Sequence, residues 1–203
     1  MDREFDLVIF GLTGYTGYFV ARELLLTIQD DAEEKIKNLK WAIAGRNVEK
    51  LDETLLKLND EIQFDHKAIQ KIKADVKDHN SLVEMASRTR VVVNIVGPYR
   101  FFGRPVVEAC IEAKTHHLDI SGETQYIEEM AADFHETAKE RDTLIISTCG
   151  FDAIPSDIGA YYLKKHFNGV LNSIDAYIKI SPGPKVNYFV ICFYEILIHS
   201  FIL

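Results

Sequence analysis

Leu7-Val8-Ile9-Phe10-Gly11-Leu12-Thr13-Gly14-Tyr15-Thr16-Gly17 is an apolar run stopped by a glycine, with further glycines three and six residues on. A helix-compatible segment, Tyr18-Phe19-Val20-Ala21, follows at once. This order predicts a strand, a tight turn and a helix start that together cradle a diphosphate. Gly11 would turn the chain off the strand, Gly14 would let backbone amides reach an anion, and Gly17 would let the helix lie close on the sheet. The N–H groups and aligned peptide dipoles of the helix start supply the anion site. The spacing is G-x-x-G-x-x-G and not G-x-G-x-x-G, and glycine and threonine here also suit an ordinary surface turn.

Working outward, strands are expected at Phe5 to Phe10, Trp41 to Ala44, Gln70 to Val76, Arg90 to Val96, His116 to Ile120 and Thr143 to Ser147. Helices are expected at Tyr15 to Gln29, Val48 to Leu58, Asn80 to Arg88, Gly103 to Ala113, from Glu123 to about Arg141, and Ile154 to Phe167. Pro105 is read into the first turn of its helix, where proline is tolerated. Leu51, Leu55 and Leu58 form one stripe and are core candidates. Asp30 to Lys40, charged and polar, is a helix extension or a surface connection. Strands alternating with helices at this spacing make a Rossmann-type, doubly wound parallel α/β sheet over residues 1–168. From Leu171 the period becomes two, with Ile174, Ala176, Ile178 and Ile180 alternating with polar residues, until Pro182-Gly183-Pro184 breaks it. Residues 169–203 therefore read as the beginning of a second, incomplete α+β domain.

Composition narrows the function classes. A hydrophobic content of 47% beside 27% charged residues is that of a folded soluble chain, and the net charge of −8 with a pI near 5.4 argues against a nucleic-acid partner. Cys110, Cys149 and Cys192 are widely spaced and odd in number, so neither a disulfide framework nor a metal site is expected. Adjacent histidines His116 and His117 point to opposite faces of a strand and cannot share one metal. Met1-Asp2-Arg3-Glu4 enters the first strand almost at once, which is read as leaving no room for a signal peptide. The apolar stretch Val186 to Leu203 includes Asn187, Glu195, His199 and Ser200, which favours a packed segment over a spanning helix, with a peripheral anchor as the alternative.

The end of the second strand bears on the cofactor. NAD-binding folds usually place an acid there for the ribose 2′-OH, but here Gly45 holds that place, with Arg46, Asn47 and Lys50 following. A planar guanidinium suits a 2′-phosphate, so NADP(H) is expected over NAD(H), a solvated Arg46 being the bland alternative. Asp75 reads as an adenine contact or a helix-start residue. Asn94-Ile95-Val96-Gly97-Pro98-Tyr99 closes the fourth strand, and its loop would pass the nicotinamide or else be a plain rigid turn. The expected cofactor-binding set is Gly11, Thr13, Gly14, Tyr15, Thr16, Gly17, Arg46, Asn47, Asn94, Gly97, Pro98 and Tyr99. Tyr99, Asp119 and Ser121 are weak catalytic candidates, with Glu123 and Asp152 beside them, and all could equally be structural. Tyr161 and Lys165 have the Y-x-x-x-K spacing of short-chain dehydrogenases, but about 9 Å along their helix from the active edge, which makes the match accidental.

In this order the segments Val8-Ile9-Phe10-Gly11-Leu12-Thr13-Gly14-Tyr15-Thr16-Gly17, Ala44-Gly45-Arg46-Asn47, Asn94-Ile95-Val96-Gly97-Pro98-Tyr99, Asp119-Ile120-Ser121-Gly122-Glu123 and Gly150-Phe151-Asp152-Ala153-Ile154-Pro155-Ser156-Asp157 resemble the saccharopine dehydrogenase-like oxidoreductase family. The resemblance implies an NAD(P)-binding Rossmann domain followed by a substrate domain, with hydride transfer on a lipid-related or amino-acid-like small molecule. It also implies an intracellular place at lipid droplets, mitochondria or membranes, with the cytoplasm as the alternative, and links to glycolipid biosynthesis; peripheral membrane or lipid-droplet association and a homo-oligomer are further expectations. Members of the family are much longer, so most of the substrate domain is expected to be missing and the tail to depart from the family pattern. A non-catalytic dinucleotide-binding or scaffold protein is the second reading.

Overall fold

The computed structural model describes residues 2–31, 36–151, 153–177 and 179. Within them strands and helices alternate as β1 (Phe5–Phe10), α1 (Tyr15–Gln29), β2 (Trp41–Gly45), α2 (Val48–Glu61), β3 (Gln70–Lys73), α3 (His79–Ser87), β4 (Thr89–Asn94), α4 (Tyr99–Ala113), β5 (His116–Asp119), α5 (Thr124–Glu140), β6 (Ile145–Ile146) and α6 (Ile154–His166). All pairings are parallel, in the order β3-β2-β1-β4-β5-β6. From β1 the chain winds outward through β2 and β3, then crosses back to β4. That reversal opens a crevice beyond the carboxyl ends of β1 and β4, which is where such sheets take ligands.

Both faces of the central strands are covered, as a continuous apolar run requires. Ile9 packs with Ile43, with Leu25 of α1 and with the α2 stripe of Leu51, Leu55 and Leu58. Val8 and Phe10, on the other face by strand alternation, pack with Ile72, Leu82, Met85, Val92, Val106 and Cys110. A third cluster joins α4 and α5 through Tyr99, Val107, Ile111, Tyr126 and Met130.

Four expectations are corrected. α4 begins at Tyr99, four residues early, because Glu123 accepts hydrogen bonds from the Tyr99 and Arg100 N–H groups at 2.7 and 2.9 Å. Pro105 therefore lies inside the helix, where the carbonyl its N–H would have met belongs to the exposed Phe101 and is open to water. β3 stops at Lys73 because Asp75 is drawn into a turn, its N–H donating to Ser81 Oγ at 3.0 Å and its carbonyl accepting from Asp78 N–H at 2.9 Å. β6 is cut to Ile145–Ile146 because the next two residues turn toward Asp119. Lastly, residues 171–177 and 179 form no strand, since alternation without a hydrogen-bonding neighbour leaves a strand backbone unpaired. Ile174 and Tyr177 there are exposed. Ile178, Ile180, the Pro182-Gly183-Pro184 break and the stretch Val186 to Leu203 lie outside the described residues.

α6 buries none of its residues, and Ile154, Ile158, Tyr161 and Leu163 are exposed along it. Among the described residues no helix is long and apolar enough to cross a membrane.

Candidate functional site

The glycine turn sits at the head of the crevice. Gly11 has φ +107°, and a Cβ there would lie 2.9 Å from Val96 Cγ2 and 3.0 Å from the Ile95 carbonyl atoms, so the turn leaves β1 hard against the chain that continues β4. Gly17 is buried in α1, where a Cβ would lie 2.2 Å from the Gly11 carbonyl oxygen. Gly14 is different: it is the N-cap of α1 at φ −79° and ψ 162°, and a Cβ would meet only the Gly11 oxygen at 3.5 Å. The protein itself makes no demand for glycine at position 14, whose open side faces outward.

Leu12 is fully buried and anchors the turn, while Thr13, Gly14, Tyr15 and Thr16 are exposed in a row above it. No side chain caps the start of α1 and no acid stands in its first turn. By contrast the N-terminus of α2 is capped by Asn47, whose side chain accepts from Lys50 N–H at 2.8 Å, and that of α4 is filled by the Glu123 carboxylate. An uncapped helix start behind a bare glycine turn fits a diphosphate, which would meet backbone donors and the positive end of the helix dipole.

Register brings Arg46 to the same edge. Phe10 pairs with Ala44, Gly11 N–H donates to the Ala44 carbonyl at 3.1 Å, and Arg46 stands two residues further on. It is exposed, with no hydrogen bond or ion pair among the described residues. No acid ends β2, so nothing there would repel a phosphate. Asn47 is committed to capping α2, and Asp75 to the turn before α3, where it also accepts from Lys77 N–H at 3.0 Å.

The β4–β6 half of the edge is filled from within. Asn94 pairs with Asp119 across β4 and β5, with Val92 and His117 one step below. Asn94 Oδ1 accepts from Val96 N–H at 3.1 Å, so its amide donates to His117 Nε2 at 3.3 Å and the His117 proton rests on Nδ1. That nitrogen has no hydrogen-bond partner, Asp119 Oδ2 being 3.9 Å away. The Asp119 carboxyl group accepts from Ser121 N–H at 2.9 Å, Ser147 O–H at 3.0 Å, Tyr126 O–H at 3.1 Å and Thr148 N–H at 3.2 Å. Tyr99 O–H donates to the Asn94 carbonyl at 2.9 Å, and Ser121 Oγ accepts from Glu123 N–H at 3.1 Å.

Burial first, and then the charge of Asp119, raises the Tyr99 and Tyr126 phenols well above the ordinary value. Burial holds the His117 imidazole below its usual range, with Asp119 opposing. Burial and Asp119 also push the Cys149 thiol up.

Of the expected residues, Gly11, Thr13, Gly14, Tyr15, Thr16, Gly17 and Arg46 follow the carboxyl ends of the neighbouring strands β1 and β2, with Gly97 and Pro98 just beyond Ile95 and Val96, which pack against Gly11. Asn94, Tyr99, Asp119 and Ser121 lie beneath that edge of the sheet, all buried, and Glu123 holds the start of α4. Asp152 lies outside the described residues. Tyr161 is 64% exposed on α6. The sequence reading missed the Asn94–His117–Asp119–Tyr126 connection, although His117 and Asp119 at a spacing of two on one strand face carried a signal for it. It also missed Gly103, where a Cβ would lie 2.4 Å from the Tyr126 ring.

Residues 7–146 match the family model described as the saccharopine dehydrogenase NADP binding domain. A saccharopine dehydrogenase-like oxidoreductase of Mus musculus is 42% identical over 186 residues, which is 91% of this chain and 43% of that protein. The lipid droplet localized protein of Caenorhabditis elegans is 38% identical over 182 residues, 90% of this chain and 41% of its own length. The chain thus spans less than half the length of these relatives. Among solved structures, the apo saccharopine dehydrogenase (L-Glu forming) of Saccharomyces cerevisiae is similar in fold, with a TM-score of 0.55 at 17% identity over 79% of this chain and 30% of that one. The chain belongs to the saccharopine dehydrogenase-like oxidoreductase family and carries its NADP-binding domain.

Proposed function

We propose that this chain is the cofactor-holding part of an NADP(H)-dependent oxidoreductase acting on a lipid-related or amino-acid-like small molecule. The observation that carries the reading is the outward opening at Gly14, where the fold tolerates a side chain and a bound diphosphate would not. Backbone groups from Thr13 to Gly17 would hold the diphosphate and Arg46 the 2′-phosphate, favouring NADP(H) over NAD(H). When bound, the nicotinamide supplies or accepts the hydride. Gly97 and Pro98, on the turn packed against Gly11, would orient that end of the cofactor. The polar side-chain atoms of Tyr99, Asp119 and Ser121 are committed to the backbone and, for Asp119, also to Tyr126 and Ser147, so the proton donor for the substrate is assigned to the half that longer relatives carry. Placement at lipid droplets draws support from the name of the nematode relative and from the exposed apolar residues of α6.

NADPH and NADH titrations of this chain, with NADPH oxidation assayed against carbonyl, imine and enoyl substrates alongside a full-length relative, test the reading. Binding here with turnover only in the longer protein is the expected result, and failure to bind either dinucleotide overturns it. The second reading, a non-catalytic dinucleotide-binding or scaffold protein, is favoured by the commitment of the Tyr99, Asp119 and Ser121 polar atoms within the fold. It predicts binding without turnover in both forms.

A further inference from the structure

The arginines of this chain divide by what their guanidinium groups meet. Arg3, Arg22, Arg88, Arg90, Arg104 and Arg141 each bond to a carboxylate or a carbonyl. Among the described residues two do not, Arg46 and Arg100, and the sheet order puts them on either side of the glycine turn: Arg46 after β2 and Arg100 after β4, with β1 between.

Arg100 is the more unusual of the pair. It stands in the first turn of α4, and its Nε is buried without a hydrogen-bond partner. Buried donors are nearly always satisfied, and a charged one more so. The carboxylate closest in sequence logic is Glu123, which accepts from the Arg100 backbone N–H at 2.9 Å yet forms no ion pair with its guanidinium. The guanidinium instead lies over the Phe101 ring, 4.8 Å from the centroid. Stacking of this kind fixes the plane of the fork, so little freedom is lost when it closes on an anion.

We propose that Arg100 recognises an anionic group of the substrate, a carboxylate or a phosphate, through Nε and one Nη acting as a planar two-donor fork. The assignment to substrate rests on the reading that the diphosphate lies at α1 and the 2′-phosphate at Arg46, which leaves the α4 side for the nicotinamide end. On that reading the cofactor half of the enzyme already carries one determinant of substrate class: the molecule reduced or oxidised bears a negative charge near its reacting carbon.

The test uses the full 203-residue chain labelled with ¹⁵N-arginine, in which a protected Nε–H gives its own resonance. Arg100→Lys keeps the charge but removes the fork, and the signal it deletes assigns Arg100. Glutarate, glycerol 3-phosphate and neutral glycerol are titrated at constant ionic strength, with and without saturating NADP⁺. The expected result is a saturable shift of the Arg100 Nε–H with glutarate or with glycerol 3-phosphate and none with glycerol, and binding of that anion at least tenfold weaker in Arg100→Lys. Which anion acts separates a carboxylate substrate from a phosphorylated one. No saturable shift with either anion, or unchanged binding by Arg100→Lys, overturns the proposal, as does an Arg100 response to NADP⁺ alone, which would make it a cofactor contact. Failure of the cofactor reading is seen separately, as a lack of response at Arg46 to NADP⁺, and the cofactor-free arm still decides the role of Arg100. Should Arg100→Lys not fold, Arg100→Gln, whose shorter side chain keeps an N–H donor at about the place of Nε but lacks the guanidinium fork, takes its place.

Discussion

Replacing Gly14 and Gly17 separately with alanine should split stability from binding, because the two glycines answer to different neighbours. At Gly17 the new methyl would lie 2.2 Å from the Gly11 oxygen, 2.9 Å from the Gly11 carbonyl carbon and 2.9 Å from Leu12 Cα. All three are backbone atoms and cannot rotate aside, so α1 must move off the sheet, at the upper end of overpacking costs, about 3 kcal/mol. Alanine in place of a helical glycine returns about 1 kcal/mol of propensity. The net loss of about 2 kcal/mol should lower the melting temperature by about 4–8 °C in a chain of this size. Gly14 is held at φ −79° and ψ 162°, which any residue adopts, and its methyl would touch one oxygen at 3.5 Å. The weaker alanine cap and the less flexible unfolded chain are opposing terms of similar size, so the melting temperature should stay within about 2 °C. Its NADPH affinity should nevertheless fall at least tenfold, about 1.4 kcal/mol, because the methyl occupies the approach to the amides. Thermal unfolding and fluorescence titration of both variants provide the readings. Unchanged NADPH affinity in Gly14→Ala at unchanged stability would refute the cradle.

Arg46→Ala should weaken NADPH by about 1.5–3 kcal/mol, the worth of a charge-assisted bond, with little effect on NADH or on the melting temperature; equal losses for both dinucleotides would remove the 2′-phosphate assignment. Glu123→Ala strips two N–H groups at the start of α4 of their acceptor and should cost about 2 kcal/mol in urea denaturation, with Glu123→Gln losing less; an unchanged midpoint would mean that water caps the helix equally well. The His117 imidazole is held below its unfolded value near 6.5 by burial, so the unfolded chain binds the proton more readily than the folded one. Its contribution is therefore fully present above about pH 6.5 and is lost as pH falls below that value, at up to about 1.4 kcal/mol per pH unit. His117→Gln keeps an acceptor for the Asn94 amide and removes the titrating ring, so its stability should fall less steeply between pH 6.5 and 4.5. Parallel curves for the two proteins would exclude His117 as a source of the slope.

β1 and α1 were legible to the residue because their signals are local: an apolar run, a glycine that must turn, and a helix start with no competing pattern. The second strand's missing acid and the following Arg46 were equally local. Where the reading went astray, the deciding partner was distant in sequence. Glu123 fixes the start of α4 from more than twenty residues away, and Asp119 draws Ser147 and Thr148 out of β6 from nearly thirty. For Asn94, Tyr99, Asp119 and Ser121, position at the carboxyl ends of strands was foreseen, but orientation was not. A polar side chain there can face the crevice or its neighbours, and the hydrogen bonds of Asn94 to His117, of Tyr99 to the Asn94 carbonyl and of Asp119 to Tyr126 and Ser147 hold this group inward.

That inward group bears on which half of the edge can do chemistry. For Asp119 to engage a substrate, its fully buried carboxyl group would have to release some of four hydrogen bonds, and Tyr99 would have to leave the Asn94 carbonyl. Each buried donor so orphaned costs about 1–3 kcal/mol, so recruiting either side chain would forfeit much of what it gained. Arg100 and Arg46 carry no such debt, since an anion that reaches either guanidinium breaks no hydrogen bond among the described residues, and at Arg100 it satisfies a buried donor that has none. On the proposed reading, ligand-binding energy would concentrate where the fold has left charge and amides uncommitted, on the two flanks of the glycine turn. The filled β4–β6 side serves instead as the rigid floor that holds the turn from Val96 to Pro98 in place.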